Sequence, residues 1–250
     1  GDEENRSLVE KVPSGKEGYG FRSSSEDPIF RPIHGATNLL SDTIFIPLFA
    51  KGRSYHKGRA LKYMRKRGFT DEQIFKMKVG VCTKGEYKGR IIVPSFDEQG
   101  DLNYFIARTY ANDFPKYKNP KVSKSEMVFN ELTINFKRPI IIVEGAFDAM
   151  RAGENAVPIL GSTIKSDHLL FQRIVENKTP VYIALDEDAH KKEKRIIELF
   201  LKYGIDVKKV DTAGYEDIGE MPREVVEERV QNATDMGGLN FLYQLIEEVA

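Results

Sequence analysis

The second half of the chain alternates short apolar runs with longer segments of helical periodicity. The apolar runs have strand length and cover residues 140–143, 156–160, 181–185 and 207–210. Segments with apolar residues at helical spacing separate them, over residues 146–154, 167–177 and 189–203. This order predicts a parallel sheet with helices on both faces. Two further helices, predicted over residues 222–232 and 239–249, complete an α/β fold.

The first half has a different pattern, in which short helices and β-rich runs are mixed. Helical spacing over residues 56–67 ends at Gly68, and the segment 70–73 has the form of a capping box that begins a second helix. Residues 90–96 and 102–108 are β-rich and flank a turn signal, which predicts a hairpin. This half is therefore expected to be mixed α+β rather than α/β.

The patterns divide the chain into three predicted parts. Residues 1–30 are polar and are expected to form a flexible lead-in. A smaller mixed α+β subdomain follows over residues 31–136, beginning with a strand over 43–49, and the α/β domain covers 137–250. The boundary is predicted near Phe136.

Charged residues are segregated along the chain, although the net charge is zero. Residues 51–124 hold 18 Lys and Arg against 7 Asp and Glu, whereas residues 125–250 hold 15 against 23. A basic segment beside an acidic one predicts a surface for a polyanion next to a site for cations. Chance clustering of solvated surface charge is the alternative.

Several classes of protein are disfavoured by composition. The single cysteine, Cys82, cannot build a zinc ribbon or a disulfide framework, so we expect no zinc in this chain and a buried structural thiol. No apolar run approaches the roughly 20 residues that cross a bilayer, and no signal peptide is visible, so a cytoplasmic protein without membrane contact is expected. The start at Gly1 without Met suggests a fragment of a longer protein.

Acidic residues directly follow two of the predicted parallel strands. Glu144 and Gly145 come after the first strand, and Asp186 and Asp188 come after the third. Ligands bind beyond the carboxyl ends of such strands, and residues two apart on a strand point to the same side. Three converging carboxylates call for a hard cation, so Mg²⁺ or Mn²⁺ is predicted here. Gly145 is expected to permit a tight turn and the close approach of a phosphate.

The two acidic motifs together resemble the TOPRIM domain, which primases of bacterial type share with topoisomerases, small nucleases and recombination mediators. Segments 143–149 and 184–189 carry the resemblance. It implies a compact α/β fold in which Glu144 and the Asp186/Asp188 pair bind a divalent metal for phosphodiester chemistry. Asp217 resembles the first acid of a later primase metal segment, and Gly219 stands where the second acid would be.

Upstream segments resemble the RNA polymerase domain of bacterial and phage DNA primases. Tyr63 to Gly68 is similar to a Tyr-Leu-x-x-Arg-Gly motif, and Phe105 to Arg108 is similar to Phe-Gly-Gly-Arg. The most specific match is the segment 115–120, Pro-Lys-Tyr-Lys-Asn-Pro, beside the family's Pro-Lys-Tyr-Leu-Asn-Ser. Order and spacing are retained over roughly residues 56–222.

The same resemblance implies which side chains contact nucleotide or template. It assigns phosphate contacts to Arg90, Arg108 and Lys116, and it places Tyr117 and Asn119 in the same motif. Lys121 and Lys124 are the two candidates to replace a further lysine of the family. Five aromatic residues interleave with these charges and are candidates either for stacking on bases or for ordinary core packing: Tyr104, Phe105, Tyr110, Phe114 and Tyr117.

The function that the resemblance implies is metal-dependent, template-directed synthesis of short RNA primers during DNA replication. Expected partners are single-stranded DNA, NTPs, the nascent primer, a replicative helicase, and a zinc-binding domain located in a missing segment or on another chain. One alternative is a TOPRIM nuclease or topoisomerase-like fragment, although a nuclease would not need the Arg108 and Lys116 segments. The other is a non-catalytic nucleic-acid-binding module.

Overall fold

The computed structural model describes residues 45–52, 54–111, 113–161 and 163–247. The predicted lead-in over residues 1–30 and the first two residues of the predicted strand 43–49 lie outside the described residues. Within the described residues the chain forms a four-stranded and a five-stranded sheet. None of the described helices is both long and apolar enough to span a bilayer.

The four-stranded sheet is antiparallel and small, as expected for the first half. Its strands follow chain order: β1 (Phe45–Pro47), β2 (Gly80–Cys82), β3 (Arg90–Phe96) and β4 (Leu102–Thr109). Strands β3 and β4 form the predicted hairpin, with Arg90 opposite Thr109. Two helices accompany the sheet, α1 (Tyr55–Lys66) and α2 (Asp71–Lys76), and the predicted capping box of Thr70 and Gln73 begins α2.

The five-stranded sheet has the order β6-β5-β7-β8-β9. Its strands are β5 (Ile140–Val143), β6 (Ala156–Pro158), β7 (Val181–Ala184), β8 (Val207–Lys209) and β9 (Thr234–Asp235). The first four are parallel, as predicted, and β9 pairs antiparallel with β8. Five helices belong to this half: α3 (Ala146–Ala152), α4 (Leu169–Asn177), α5 (His190–Lys202), α6 (Arg223–Gln231) and α7 (Asn240–Glu247).

Alternate side chains of the central strands pack against helices on opposite faces of this sheet. On one face, Ile142 of β5 and Ile183 of β7 share a core with apolar residues of α4 and α5. On the other face, Val143 and Ala184 share a core with Ala149 of α3 and with a residue of α6. Because neighbouring strand residues point to opposite faces, these continuous apolar runs are buried on both sides.

Helix α3 packs against both halves of the described chain. Phe147 and Met150 of α3 belong to the same core as Phe69, which follows α1. The Gln73 side chain of α2 donates a hydrogen bond to the Met150 carbonyl at 3.1 Å, and Arg151 donates to the Gly68 carbonyl at 3.2 Å. Helix α3, which directly follows the strand end that carries Glu144, is therefore packed against the end of α1 and against α2.

Cys82 is fully buried in β2, where burial raises the pKa of its thiol to about 12. The expectation of a structural rather than reactive thiol at this position is consistent with that environment.

Candidate active site

The acids predicted from sequence lie at one edge of the parallel sheet. Strands β5 and β7 are paired so that Val143 lies opposite Ala184, and Glu144 and Asp186 therefore follow adjacent strand ends. Asp217 arrives from the segment after β8, where it immediately precedes a 3₁₀ turn. The parallel topology, rather than proximity in sequence, brings these three acids to the same edge.

Asp186 and Asp188 lie beyond the end of β7 rather than on it. The strand ends at Ala184, Asp186 has extended backbone angles, and Asp188 lies inside a short 3₁₀ turn. The predicted same-side geometry, which assumed strand alternation, therefore does not apply to this pair. Asp186 is half-buried and Asp188 is exposed, so the two carboxylates meet different surroundings.

The acids act on one another electrostatically. Burial is the largest cause that raises the pKa of Asp186 to about 7. The negative charges that raise this pKa further belong, in decreasing order, to Glu144, Asp148, Asp217 and Asp188. Crowded carboxylates of this kind lower their mutual repulsion by binding a proton or a cation.

Asp148 is an acid that the sequence motif contained but that we did not predict as a site residue. It is 7% exposed, and burial followed by the charge of Asp217 raises its pKa to about 7. Its Oδ2 accepts a hydrogen bond from the Gly145 backbone N–H at 2.7 Å at the start of α3, which is one half of a capping box, because glycine has no side chain to form the other half. The sequence signal was an acid three residues after the residue that caps the helix.

Two glycines make room for the Asp148 carboxylate. A Cβ atom on Gly219 would lie 2.6 Å from Asp148 Oδ1 and 3.0 Å from Asp217 Oδ1, and one on Gly145 would lie 2.8 Å from Asp148 Oδ2. Gly145 has an ordinary φ of −121°, so its turn does not need glycine. The Gly145 N–H, where a phosphate was expected to approach, donates to the Asp148 carboxylate instead. A side chain at position 219 would displace the carboxylates of Asp148 and Asp217.

Lys192 holds the Glu144 carboxylate. Its Nζ, in the first turn of α5, donates to Glu144 Oε1 and Oε2 at 2.8 Å each. Both side chains are largely shielded from solvent, so this is a stronger contact than a surface ion pair. Lys192 was not predicted as a site residue, although it stands one helical turn after Asp188.

The donor set fits a hard divalent cation by its chemistry. All five acids offer only carboxylate oxygens, which suit Mg²⁺ or Mn²⁺. Asp217 Oδ1 is buried and has no hydrogen-bond partner among the residues that the structure describes. Glu144, however, is turned towards Lys192. In the part of the chain that the structure describes, no three His, Cys, Asp or Glu side chains are already gathered as a metal shell.

Arg108 of β4 faces this acidic edge from the other sheet. It is 6% exposed, its Nε donates to the Tyr63 hydroxyl at 2.7 Å, and its Nη1 donates to the Tyr117 hydroxyl. The guanidinium carbon lies 4.9 Å from the centre of the Phe147 ring, one residue before Asp148. A fixed cation is thus packed against the helix that carries the buried acid.

Arg67 is a second cation at this junction, and it was not predicted as a site residue. Its guanidinium lies 5.4 Å from the Phe147 ring centre, and its Nη2 would lie 3.6 Å from a Cβ on Gly219. Its Nε is buried, with no hydrogen-bond partner among the described residues. The signal was its position four residues after Tyr63, which places both side chains on one face of α1.

The chain is similar in sequence to part of several DNA primases. No family model matches the chain. The DNA primase of Staphylococcus aureus (strain MSSA476) is 24% identical over 131 residues, which are 44% of this chain and 21% of the relative. The DNA primase of Clostridium acetobutylicum is 24% identical over 179 residues, 66% of this chain and 30% of the relative. The chain thus spans less than a third of the length of these relatives.

Solved structures are similar over most of the chain. The DnaG primase catalytic domain bound to single-stranded DNA superposes with a TM-score of 0.66 at 19% identity, covering 78% of this chain and 77% of that one. The E. coli primase catalytic core gives 0.63 at 20%, covering 78% and 79%. A Pseudomonas aeruginosa primase domain gives 0.64 at 20%, covering 79% and 78%. This chain has the fold of a DnaG primase catalytic core.

Within the primase-core fold, two predicted template-binding residues hold the loop after β4. Arg90 Nη2 donates to the Pro115 carbonyl at 2.8 Å, and its Nη1 donates to the Lys116 carbonyl at 3.4 Å. Asn119 Oδ1 accepts from the Ala107 backbone N–H at 3.1 Å. The structure therefore gives Arg90 and Asn119 a positioning role, and their predicted contacts with nucleotide or template stay predictions.

The lysines predicted around this loop have different environments. Lys116 and Lys121 are exposed, whereas Lys124 donates to the Leu160 carbonyl at 2.6 Å. Lys124 thus ties the basic half to the segment after β6, and Lys116 and Lys121 have side chains that solvent reaches. The choice between Lys121 and Lys124 as the replacement lysine stays open.

The aromatic candidates separate into two groups. Tyr104 and Phe105 are fully buried in cores of the N-terminal sheet, so ordinary packing explains them. Phe114 and Tyr117 are exposed on the loop after β4, and Tyr110 is half-buried at the end of that strand. Only the second group can meet a bound nucleic acid.

Proposed function

We propose that this chain is the RNA polymerase core of a DNA primase, which synthesises short RNA primers on single-stranded DNA. The observation that carries the proposal is the junction between the two sheets. There the crowded acids Asp148, Asp186 and Asp217 lie beside the half-buried Arg67 and the buried Arg108. Polymerisation of a nucleoside triphosphate uses both kinds of group, because acids hold the divalent ion and cations bind the phosphates.

Primer growth joins a 3′-hydroxyl oxygen to the α-phosphorus of an NTP and breaks the bond to the β-phosphate, which releases pyrophosphate. Glu144, Asp186 and Asp188 would hold Mg²⁺ or Mn²⁺, with Asp148 and Asp217 beside them. The ion, when bound, supplies stabilisation of the negative charge that develops on the phosphate oxygens. The side chains of this chain orient the reactants around it.

The cations have donors to spare for such a substrate. A guanidinium carries five N–H groups, and the tyrosines bonded to Arg108 use only part of them. Arg67 has a buried Nε without a partner in the described chain, next to the acid-bearing turn at Gly219. Both arginines are therefore suited to bind the triphosphate or the template backbone near the acids.

The wider system follows from the same proposal. Single-stranded DNA is the template, and NTPs and the nascent primer are the other reactants. A replicative helicase and a zinc-binding domain, located in another part of a longer protein or on a separate chain, would direct initiation. We place the reaction in the cytoplasm, and we propose a division near Phe136 between the basic subdomain and the TOPRIM domain.

The test is a primer-synthesis assay with single-stranded DNA, NTPs and Mg²⁺ or Mn²⁺. Wild-type protein should produce RNA that grows with NTP supply, and Asp186→Asn should reduce the rate by about a thousandfold, the scale of losing a charge-stabilising group. Glu187→Gln, a neighbouring exposed acid outside the cluster, is the matched control and should remain active. Metal-dependent shortening of labelled DNA would instead indicate a nuclease. Absence of both product and metal binding would indicate a binding module.

A further inference from the structure

A stack of flat side chains lies on the surface of the basic half, away from the acids. The guanidinium of Arg59 lies 5.5 Å from the ring centre of Tyr55 and 5.4 Å from that of Tyr110. Arg59 Nη1 also donates to the Tyr55 hydroxyl at 2.8 Å. His56 Nδ1 forms a hydrogen bond with the Tyr110 hydroxyl, which fixes that ring. We call Tyr55, Arg59 and Tyr110 the α1 platform.

The α1 platform is accessible, and it is positively charged. Tyr55 is 70% exposed, and Arg59 is exposed as well. Among the described residues, no carboxylate forms an ion pair with Arg59, and its cationic side chain lies at the surface. A single exposed tyrosine needs no explanation. An exposed tyrosine held in place by a cation within a strongly basic segment is a preformed surface for a partner.

The α1 platform continues the row of side chains that begins at the acids. Along α1, His56, Arg59, Tyr63 and Arg67 follow at spacings of three and four residues, so they share one face of the helix. On β4 and directly after it, Arg108 and Tyr110 are two residues apart and share one face of the sheet. Helix and strand meet along this row, because Tyr63 binds Arg108 and His56 binds Tyr110.

The row has a length that matches several nucleotides. Tyr55 and Arg67 are twelve positions apart, from the first residue of α1 to its C-cap, which corresponds to about 18 Å at 1.5 Å per residue. A single strand with stacked bases covers this distance with about five nucleotides at 3.4 Å each. Cations alternate with aromatic rings along the row, which is the combination that binds phosphates and unpaired bases without sequence preference.

We propose that the α1 platform is a stacking site for unpaired bases of single-stranded DNA, at the far end of a path that leads away from the acids. The inference rests on the proposed function, because it assumes that the acidic cluster acts on nucleic acid. Bases would stack on Tyr55 and on the plane of Arg59, and the strand would continue past Tyr63 towards Arg67. Duplex DNA lacks unpaired bases and would gain little from this site.

The test measures binding of a fluorescent oligothymidylate of about 12 nucleotides by anisotropy, over a series of salt concentrations and without NTP. Tyr55→Leu should weaken binding by about tenfold, because it removes a stacking surface. The slope of log affinity against log salt should stay unchanged, since no phosphate contact is lost. Arg59→Lys, which keeps the charge but loses the plane, should weaken binding by about threefold with the same slope.

Tyr243→Leu is the matched control, since Tyr243 is 60% exposed on α7 in the acidic half. It should bind like wild type, and a duplex of the same length should not distinguish Tyr55→Leu from wild type. Tyr55 and Arg59 are both exposed, so unchanged thermal unfolding is expected for Tyr55→Leu and Arg59→Lys. Wild-type affinity for the oligothymidylate in Tyr55→Leu and Arg59→Lys would overturn the proposal, as would a wild-type protein that does not bind the oligothymidylate.

A primer-synthesis assay on the same preparations separates the two proposals. If Tyr55→Leu loses affinity but wild type makes no primer, the platform stands and the proposed function falls. If wild type makes primers and Tyr55→Leu binds the oligothymidylate with equal strength, the function stands and the platform falls.

Discussion

The two sides of the candidate site are built on opposite principles. Acids such as Asp186 and Asp217 lie in turns beyond strand ends, and the parallel topology brings them together despite their repulsion. The cation Arg108, by contrast, lies within a regular element, β4, and is surrounded by groups that stabilise it. Arg108 packs against three aromatic rings and binds two hydroxyls.

This difference shows where the site depends on its ligands. The acidic side is electrostatically strained without a cation, because burial and mutual repulsion raise the pKa of both Asp148 and Asp186 to about 7. The basic side is already organised by aromatic rings and hydroxyls. Substituting a residue should therefore destabilise the protein on the basic side and stabilise it on the acidic side, which makes the comparison testable by measuring stability alone.

The largest effect is expected on the basic side, from Arg108→Lys. Lysine keeps the charge but cannot stack on Phe147 or bind both tyrosine hydroxyls with a planar fork, so the free energy of unfolding should fall by about 2 kcal/mol. Denaturant unfolding measures this change. Arg65→Lys is the control, because Arg65 forms an exposed pair with Asp71 and should change stability by less than about 0.5 kcal/mol. Equal stabilities of the two variants would contradict the buried role of Arg108.

A smaller effect of opposite sign is expected on the acidic side, from Asp148→Asn. The folded protein keeps a proton on Asp148 up to a pKa of about 7, whereas the unfolded chain releases it near 3.8. Stability from this group therefore falls as pH rises from about 4 to 7, and the ionised carboxylate remains unfavourable above that range. Asparagine keeps an oxygen acceptor for the Gly145 N–H. It should raise the free energy of unfolding by about 1 kcal/mol at pH 8 in chelator.

The gain in Asp148→Asn should become small near pH 4, where the wild-type carboxyl is protonated in the folded protein. Asp206→Asn is the matched control, since Asp206 is exposed at the opposite edge of the sheet, before β8. Loss of stability in Asp148→Asn at pH 8 would show that the carboxylates do not destabilise the metal-free protein.

The sequence predicted the buried strands of the fold better than the short exposed one. Strands β3 and β5 have the predicted bounds, because an apolar run with turn signals on both sides is buried wherever it packs. Strand β9 escaped prediction, because its two residues, Thr234 and Asp235, are polar and exposed. Pairing at the edge of a sheet leaves no apolar pattern in such a short segment.

Which acids share an edge was predictable, and what each side chain touches was not. The neighbourhood of Glu144 and Asp186 follows from strand order. The bond of Lys192 to Glu144 and the packing of Arg108 on Phe147 depend on where helices α5 and α3 settle against the sheets. Arg90 shows the same limit, since its motif suggested phosphate and its guanidinium binds backbone carbonyls.

The smallest effect is expected at Lys192, a cation that binds an acid of the candidate site. Its ammonium group lies 2.8 Å from both oxygens of Glu144, so a divalent ion that binds Glu144 must first displace it. Lys192→Met should therefore tighten Mn²⁺ binding by about threefold, the equivalent of a partly shielded ion pair. Calorimetric titration measures this affinity without NTP or DNA. Lys191→Met, on the same helix but exposed, should bind Mn²⁺ like wild type. Weaker binding in Lys192→Met would show that the lysine supports the metal site rather than competing with it.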